Sequence, residues 1–470
     1  MFAWIRNRFR TKLARVSKKK PARPRGARPR LEPLEDRVVP ATLKVGATET
    51  YKTIQAAVNV AASSGVANTI LIDPGTYNEQ VTIPSTITTT NSLVINAANT
   101  SNKPTVKPTA TLTGSNAIFD VSGAKGVTIE NLVIDGGGTS SAWFGVFVEG
   151  GGSATITSNT IQNVAGTAST GTDTGFGVRV GRSSLSGQPA TTGTATVTSN
   201  NITGYGKGGI DVANTGSSGT VTSNTVTGAG HKVSDNINQV QNGIEIDDGA
   251  TGTVSYNNVS KNGSAKTGFG SAGILLFQPG SSVTVSNNNL TSNDVGIWVF
   301  DAASPTVSNN TISGSTIFGL AFDSAGGSGV TGATVSNNNS SNNLGEGIDV
   351  ANTSGSTFSN NTIGSNGQSG FVLSNNTTNN TVSSNSITGN GMWGVLVADA
   401  DLNNPNFFTY LNTSTASGNT FNQNTITGND TSKTKGVFDV EDRSTGTGTA
   451  GTADTWRSNT IGTKKPSGLK

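Results

Sequence analysis

The stretch VTSNNITGYGKGGIDV (197–212) places a valine, an asparagine pair, an isoleucine, a glycine-rich bend and then Gly-Ile-Asp-Val in close succession. Its skeleton returns as VTSNTVTG (221–228), VSNNTISG (307–314) and VSSNSITGNGMWGVLV (382–397). The unit apolar-x-x-Asn-x-apolar starts at 156, 197, 221, 254, 285, 307, 335, 358, 382, 421 and 456, and the unit at 335 ends on Ser340. The shortest separations are 22 to 24 residues. Longer ones read as the same unit with an inserted loop. A second motif sits between units: GVRV (177–180), GIDV (209–212), GIEI (243–246), GILL (273–276), GIWV (296–299) and GIDV (347–350).

Alternation at period two puts Ile210 and Val212 on one face of a strand and Asp211 on the other. Each unit therefore carries three short strands, too short to stand alone. Stacking each strand on its counterpart one unit away satisfies the backbone and buries the aliphatic residues in a continuous column. The expectation is an all-β protein: a single-stranded right-handed parallel β-helix of three short sheets. Eleven coils at about 4.8 Å per strand give a rod of roughly 50 Å. The recurring Asn suits a bend, because it tolerates a left-handed backbone. Turned inward, it can also bond to the Asn of the next coil. The expected ladder is Asn159, Asn200, Asn224, Asn257, Asn288, Asn310, Asn338, Asn361, Asn385, Asn424 and Asn459.

Composition agrees with a thin core. Only 32% of the 470 residues are hydrophobic, and 61 are glycine. The absence of cysteine removes disulfides and thiolate metal sites. The net charge of +3 conceals two unlike parts. Residues 1–30 hold 12 of the 31 Lys and Arg and no acidic residue, leaving 19 basic against 28 acidic side chains, a balance of −9, in the other 440. A mildly acidic body with a basic arm argues against a nucleic-acid partner. No apolar run is long enough for a membrane span or a signal-peptide core.

The domains expected are a basic disordered leader (1–40), the β-helix (41–465) and a short basic tail (466–470). Ile54, Ala57, Val58, Ala61 and Ala62 form one apolar helical stripe, with Thr53 as N-cap and Gly65 as terminator. A helix over about 53–64 would close the open end of the stack.

Three resemblances add to this reading. LEPLEDRVVPA (31–41) resembles the LEPR-XLL-type leader of bacterial surface-type repeat proteins, with Leu34 where that pattern has Arg. It implies export, secreted or at the cell surface; a flexible basic arm on a cytoplasmic protein is the alternative. TIQAAV and DPGTYNEQV (53–58 and 73–81) resemble the opening of the pectin-methylesterase and pectate-lyase-like group, and the short coils resemble that fold's parallel β-helix repeat. The esterase blocks are missing, so pectin methylesterase activity is rejected. In polysaccharide-acting relatives the sheet matching Gly-Ile-x-Val carries the catalytic groups on its outer face. Other family patterns depart: the Asp-Pro-His block of mannuronan epimerases is absent, the polygalacturonase blocks are faint and out of order, and one His with no Cys makes a copper role poor.

On that outer face the x positions read Phe147, Arg179, Asp211, Glu245, Leu275, Trp298, Ala321, Asp349, Val372, Leu396 and Phe438. Arg179, Asp211 and Glu245 are consecutive. Two carboxylates about 5 Å apart repel by roughly 3 kcal/mol unless a cation or substrate compensates. Asp211, Glu245 and Arg179, with the single His231 in a neighbouring loop, are therefore the catalytic candidates. Leu275 and Trp298 are the substrate-binding candidates, as an apolar platform for a sugar ring. Asp247 and Asp248 add oxygen ligands suited to Ca²⁺. An ordinary exposed Arg179–Asp211 ion pair, worth about 0–1 kcal/mol, is the plain alternative. The functional expectation is polysaccharide binding, with cleavage by a lyase or glycoside hydrolase reaction left open. A non-catalytic cell-envelope or adhesin-like rod is the alternative.

Overall fold

The structure, a computed structural model, describes residues 40–108, 112–166, 174–184, 188–230, 240–264, 270–324, 326–398 and 416–470. Residues 1–39 of the expected leader and His231 lie outside them. Pro40–Lys470 forms one compact unit. Among the described residues, three parallel sheets run the length of that unit: fifteen strands in the sheet of the Val-x-x-Asn strands (the Val sheet), and fourteen each in the sheet of the following Ile strands (the Ile sheet) and in the Gly-Ile-x-Val sheet. Fourteen spacings of about 4.8 Å make the unit roughly 67 Å long. The excess over the expected length comes from coils before residue 156, which form the same sheets without the Asn repeat.

The register follows the repeat. Ile156, Val197, Val221 and Val254 stack in line on the Val sheet, and Ile161, Ile202, Val226 and Val259 on the Ile sheet, all buried. Towards the C-terminal end the Val column turns aromatic, and Trp456 stacks on Phe421 at 3.8 Å between ring centroids. Ser340, the irregular member, donates its hydroxyl to the Gly347 carbonyl at 2.7 Å. The motif glycine has a packing reason. A Cβ on Gly209 would stand 2.4 Å from Val226 Cγ1 and 2.6 Å from the Gly243 carbonyl, so no larger residue fits where the Gly-Ile-x-Val strand crosses the Ile column.

All eleven expected Asn residues form the ladder. Asn310 is typical: its backbone N–H and Nδ2 both donate to Asn338 Oδ1 at 3.0 Å, Nδ2 also donates to the Val285 carbonyl, and its Oδ1 accepts the same pair from Asn288. Every amide-to-amide bond of this ladder runs toward the C-terminal coil. The left-handed residue is not the ladder Asn but the one before it: Ser158, Ser199, Ser223, Tyr256, Asn287, Asn309, Asn337, Asn360, Ser384, Gln423 and Ser458 all have φ near 57°. The positive φ turns the chain, and the next residue points its amide inward.

Two further ladders occupy the other corners. Asn343, Asn366, Asn390 and Asn429 link in series between the Ile and Gly-Ile-x-Val sheets and end on Asp439. Asn380 and Asn419 link at the third corner and end on Asp454.

The helix runs Ile54–Ser64, with Thr53 Oγ1 accepting from the Ala56 N–H at 3.2 Å and Gly65 left-handed at φ 70°. Ile54, Ala57, Val58 and Ala61 are buried, and the helix packs on the strands Ala41–Val45, Asn68–Ile72 and Val81–Pro84. Glu79 completes its start, accepting from the N–H groups of Ile54 and Gln55 at 2.8 and 2.9 Å. At the other end the expected tail is folded onto the last coil. Leu469 is buried in the core, and the Lys470 carbonyl accepts from Asn459 Nδ2 at 2.7 Å.

Candidate functional site

The Gly-Ile-x-Val sheet brings its x residues into one row. Phe147, Arg179, Asp211, Glu245, Leu275, Trp298, Ala321, Asp349, Val372 and Leu396 are successive register partners. Two placements differ from the sequence reading. Leu396 pairs with Glu441, not Phe438, because the segment between the strand Thr425–Thr427 and Val440 is longer than its counterpart one coil earlier, between Ser386–Thr388 and Val395. The row also begins earlier, at Thr82 opposite Asp120, which in turn pairs with Phe147.

This outer face is buried. Asp211 is 0% exposed, Arg179 and Glu245 are buried beside it, and the whole strand Gly208–Ala213 is buried on both faces. Arg179 Nη1 pairs with Asp211 Oδ2, its Nε donates to the Gly181 carbonyl, and its guanidinium lies 4.7 Å over the Phe176 ring. The exposed ion pair considered from sequence is thus a buried one. Glu245 Oε2 accepts from Asn242 Nδ2 at 3.2 Å. Asp211 Oδ1 has no hydrogen-bond partner among the described residues.

Trp298 is 6% exposed, and its ring lies 4.7 Å from that of Phe300. With half-buried Leu275 it belongs to an apolar cluster that includes Ala272, Val295 and Phe318. An open sugar platform at these residues is therefore corrected: protein atoms occupy the ring faces. Similar clusters form around Phe144, Phe147 and Phe176, and around Val372, Trp393 and Leu396. The outer side of this sheet is a second, segmented core with charged residues between its segments.

The two calcium candidates differ in their surroundings. Asp247 ends its strand half-buried, Asp248 is exposed in a left-handed turn at φ 50°, and among the described residues no three His, Cys, Asp or Glu side chains cluster to hold a metal ion.

The open faces lie elsewhere. On the Val sheet twelve threonines stack in register: Thr128, Thr155, Thr196, Thr220, Thr253, Thr284, Thr306, Thr334, Thr357, Thr381, Thr420 and Thr455. All are exposed or half-exposed. Beside them Thr157, Thr198, Thr222, Ser255, Ser286, Ser308, Ser336, Ser359 and Ser383 make a parallel hydroxyl row. On the Ile sheet the exposed row Asn201, Thr225, Asn258, Asn289, Thr311, Asn339, Thr362, Ser386, Thr425 and Thr460 mixes carboxamides with hydroxyls. Over these spans the rows carry no charge; in register beyond them the hydroxyl row meets Glu130 at one end and, past Asn422, Arg457 at the other. In the sequence they read only as polar filler around the aliphatic residues; their signal is the run of Thr-Val-Ser and Thr-Val-Thr strands.

A cleft of about 500 Å³ opens at the C-terminal end, lined by Glu441, Asp442, Arg443, Ser444, Thr452 and Lys465 among others. Burial raises the Glu441 pKa, but Arg443, Lys465 at 3.0 Å and the Trp393 N–H more than offset it and hold the carboxyl below its usual range. Glu441 is paired there with Arg443 and Lys465, while Asp442 is held by hydrogen bonds from Ser444 and the Trp456 N–H, which makes this a strapped end of the stack.

The sequence matches the family described as right handed beta helix region over residues 120–332 and 242–452. The chain belongs to that family. A comparison with curated proteins gave no match. Solved structures similar to it include an alginate lyase from Paenibacillus sp. str. FPU-7, at 12% identity and TM-score 0.47, covering 67% of this chain and 99% of that one. The A-module of a mannuronan C-5 epimerase of Azotobacter vinelandii is 14% identical at TM-score 0.44, covering 79% and 89%. The Dettilon tailspike protein is 13% identical at TM-score 0.45, covering 87% and 64%. At these identities and scores they say nothing about what this chain does.

Proposed function

We infer that the protein is an extracytoplasmic β-helix that binds a neutral polysaccharide along its open Val and Ile sheets. The observation that carries this reading is the contrast between faces. The charged row of the Gly-Ile-x-Val sheet is buried, whereas the other two sheets present long, uncharged, in-register rows of hydroxyls and carboxamides to solvent. Such rows offer donors and acceptors at a fixed repeat of about 4.8 Å, which suits a polymer of hydroxylated rings over a polyanion. Export rests on the leader-like segment at 31–41. No helix among the described residues is long and apolar enough to cross a membrane. Affinity electrophoresis in gels cast with dextran, galactomannan or alginate tests the reading. Retardation by a neutral polymer supports it, and retardation by alginate alone overturns it.

A second reading, catalysis on the Gly-Ile-x-Val face, draws on one observation. Arg179, Asp211 and Glu245 stand in consecutive register, and one Asp211 oxygen has no hydrogen-bond partner among the described residues. A polysaccharide-degradation screen with the Asp211→Asn and Glu245→Gln variants tests it.

A further inference from the structure

Tyr256 holds the left-handed bend between the Val and Ile sheets at φ 57°. The other ten bends of this column hold serine, asparagine or glutamine. Asparagine and other small polar residues tolerate positive φ, whereas a bulky aromatic residue there is an outlier. The ring gains little packing in return, because Tyr256 is 63% exposed. Backbone strain that no buried contact offsets is characteristic of functional positions.

The surroundings fit a ligand of mixed character. On one side Ser255 donates its hydroxyl to Thr222 Oγ1 at 3.4 Å, joining the open hydroxyl row. On the other, Asn289 Nδ2 donates to Asn258 Oδ1 at 3.3 Å in the carboxamide row. An aromatic face raised between two uncharged polar rows matches a sugar ring, whose C–H face lies on the aromatic surface while its hydroxyls reach donors and acceptors on both sides. Tyrosine supplies such area rigidly, with little side-chain entropy to lose.

We propose that Tyr256 is the anchoring platform for one ring of a neutral polysaccharide chain lying across the Val–Ile corner. This rests on the glycan-binding reading of the open faces and adds the residue on which affinity concentrates. The test is Tyr256→Ser, which installs the residue of the adjacent bend, with Tyr256→Phe and Leu344→Ser as comparisons in the full chain. Leu344, 67% exposed, controls for loss of exposed apolar surface in general.

With dextran and galactomannan as probes, Tyr256→Ser is expected to weaken binding roughly tenfold or more, while Tyr256→Phe and Leu344→Ser retain it. Relief of the strain is expected to raise the Tm of Tyr256→Ser by about 1–2 °C for a chain of this size. If the wild type binds and Tyr256→Ser binds equally well, the platform assignment falls and the glycan-binding reading stands. If the wild type binds neither polymer, both fall. A lower Tm for Tyr256→Ser would show that the ring supports the fold, and would also overturn the assignment.

Discussion

Asp454 Oδ1 accepts hydrogen bonds from both the backbone N–H of Asn419, at 2.6 Å, and its Nδ2, at 3.1 Å. A carboxylate thus ends a ladder of amides. Burial, and then the nearby Asp442 carboxylate, push the Asp454 pKa from 3.8 up to about 6. A folded pKa above the unfolded one gives a stabilising contribution present below about pH 4 and lost as pH rises through about 6. The difference amounts to about 3 kcal/mol. Asp454→Asn keeps the acceptor without the charge. It is expected to raise stability at pH 8 and to change it little at pH 4. Thermal melts of both proteins at the two pH values check this, and an equal gain at both would contradict it.

Asn310→Ala removes the acceptor used by two Asn288 donors and the donor to the Val285 carbonyl. Leaving buried groups unpaired is expected to cost about 2–4 kcal/mol. Asn289→Ala, one residue from a ladder position but exposed in the outer row, is expected to stay within about 0.5 kcal/mol. Denaturant unfolding of the two variants makes the comparison.

The buried Arg179–Asp211 pair separates stability from catalysis. Asp211→Asn breaks a buried ion pair and is expected to destabilise by about 3–5 kcal/mol. Glu245→Gln keeps an acceptor for Asn242 Nδ2 and is expected to cost much less. Turnover of any polysaccharide that disappears in both variants, with unfolding unchanged, would instead favour the catalytic reading.

Leu469 plugs the final coil. Leu469→Ala is expected to cost about 2–5 kcal/mol locally. Limited proteolysis followed by mass spectrometry should then show earlier cutting within the last coil than in the wild type.

The first Asn ladder and the capping helix are written in local, regular signals, which is why Asn159 through Asn459 and the Thr53 cap are legible in the residue order alone. The second ladder leaves a fainter trace: an Asn five residues beyond the first, as in Asn338/Asn343, Asn361/Asn366 and Asn385/Asn390. Ser315 interrupts that pattern on the way, so the period does not announce itself.

The burial of Asp211 and Trp298 is harder to read, because alternation tells which side of a strand a residue takes and not whether that side meets water. A partial warning lies in the aromatic content of the outer face. Phe144, Phe147, Phe176, Trp298, Phe300 and Phe318 are too many for a solvated sheet. Glu441 escapes the motif spacing because insertions alter the count between motifs.

The one-way sense of the amide ladders bears on how such a protein changes length over generations. An interior coil receives the same first-ladder bonds from one neighbour that it passes to the other, so duplicating or deleting a segment of 22 to 24 residues leaves that ladder's bonding unchanged. The carboxylates of Asp439 and Asp454 accept at their ends and have no amide hydrogen to hand on. Duplication within the interior is therefore neutral to the bonding scheme, while addition beyond those residues is not. Gene rearrangement can lengthen the molecule from the middle without disturbing the carboxylate ends of these two ladders.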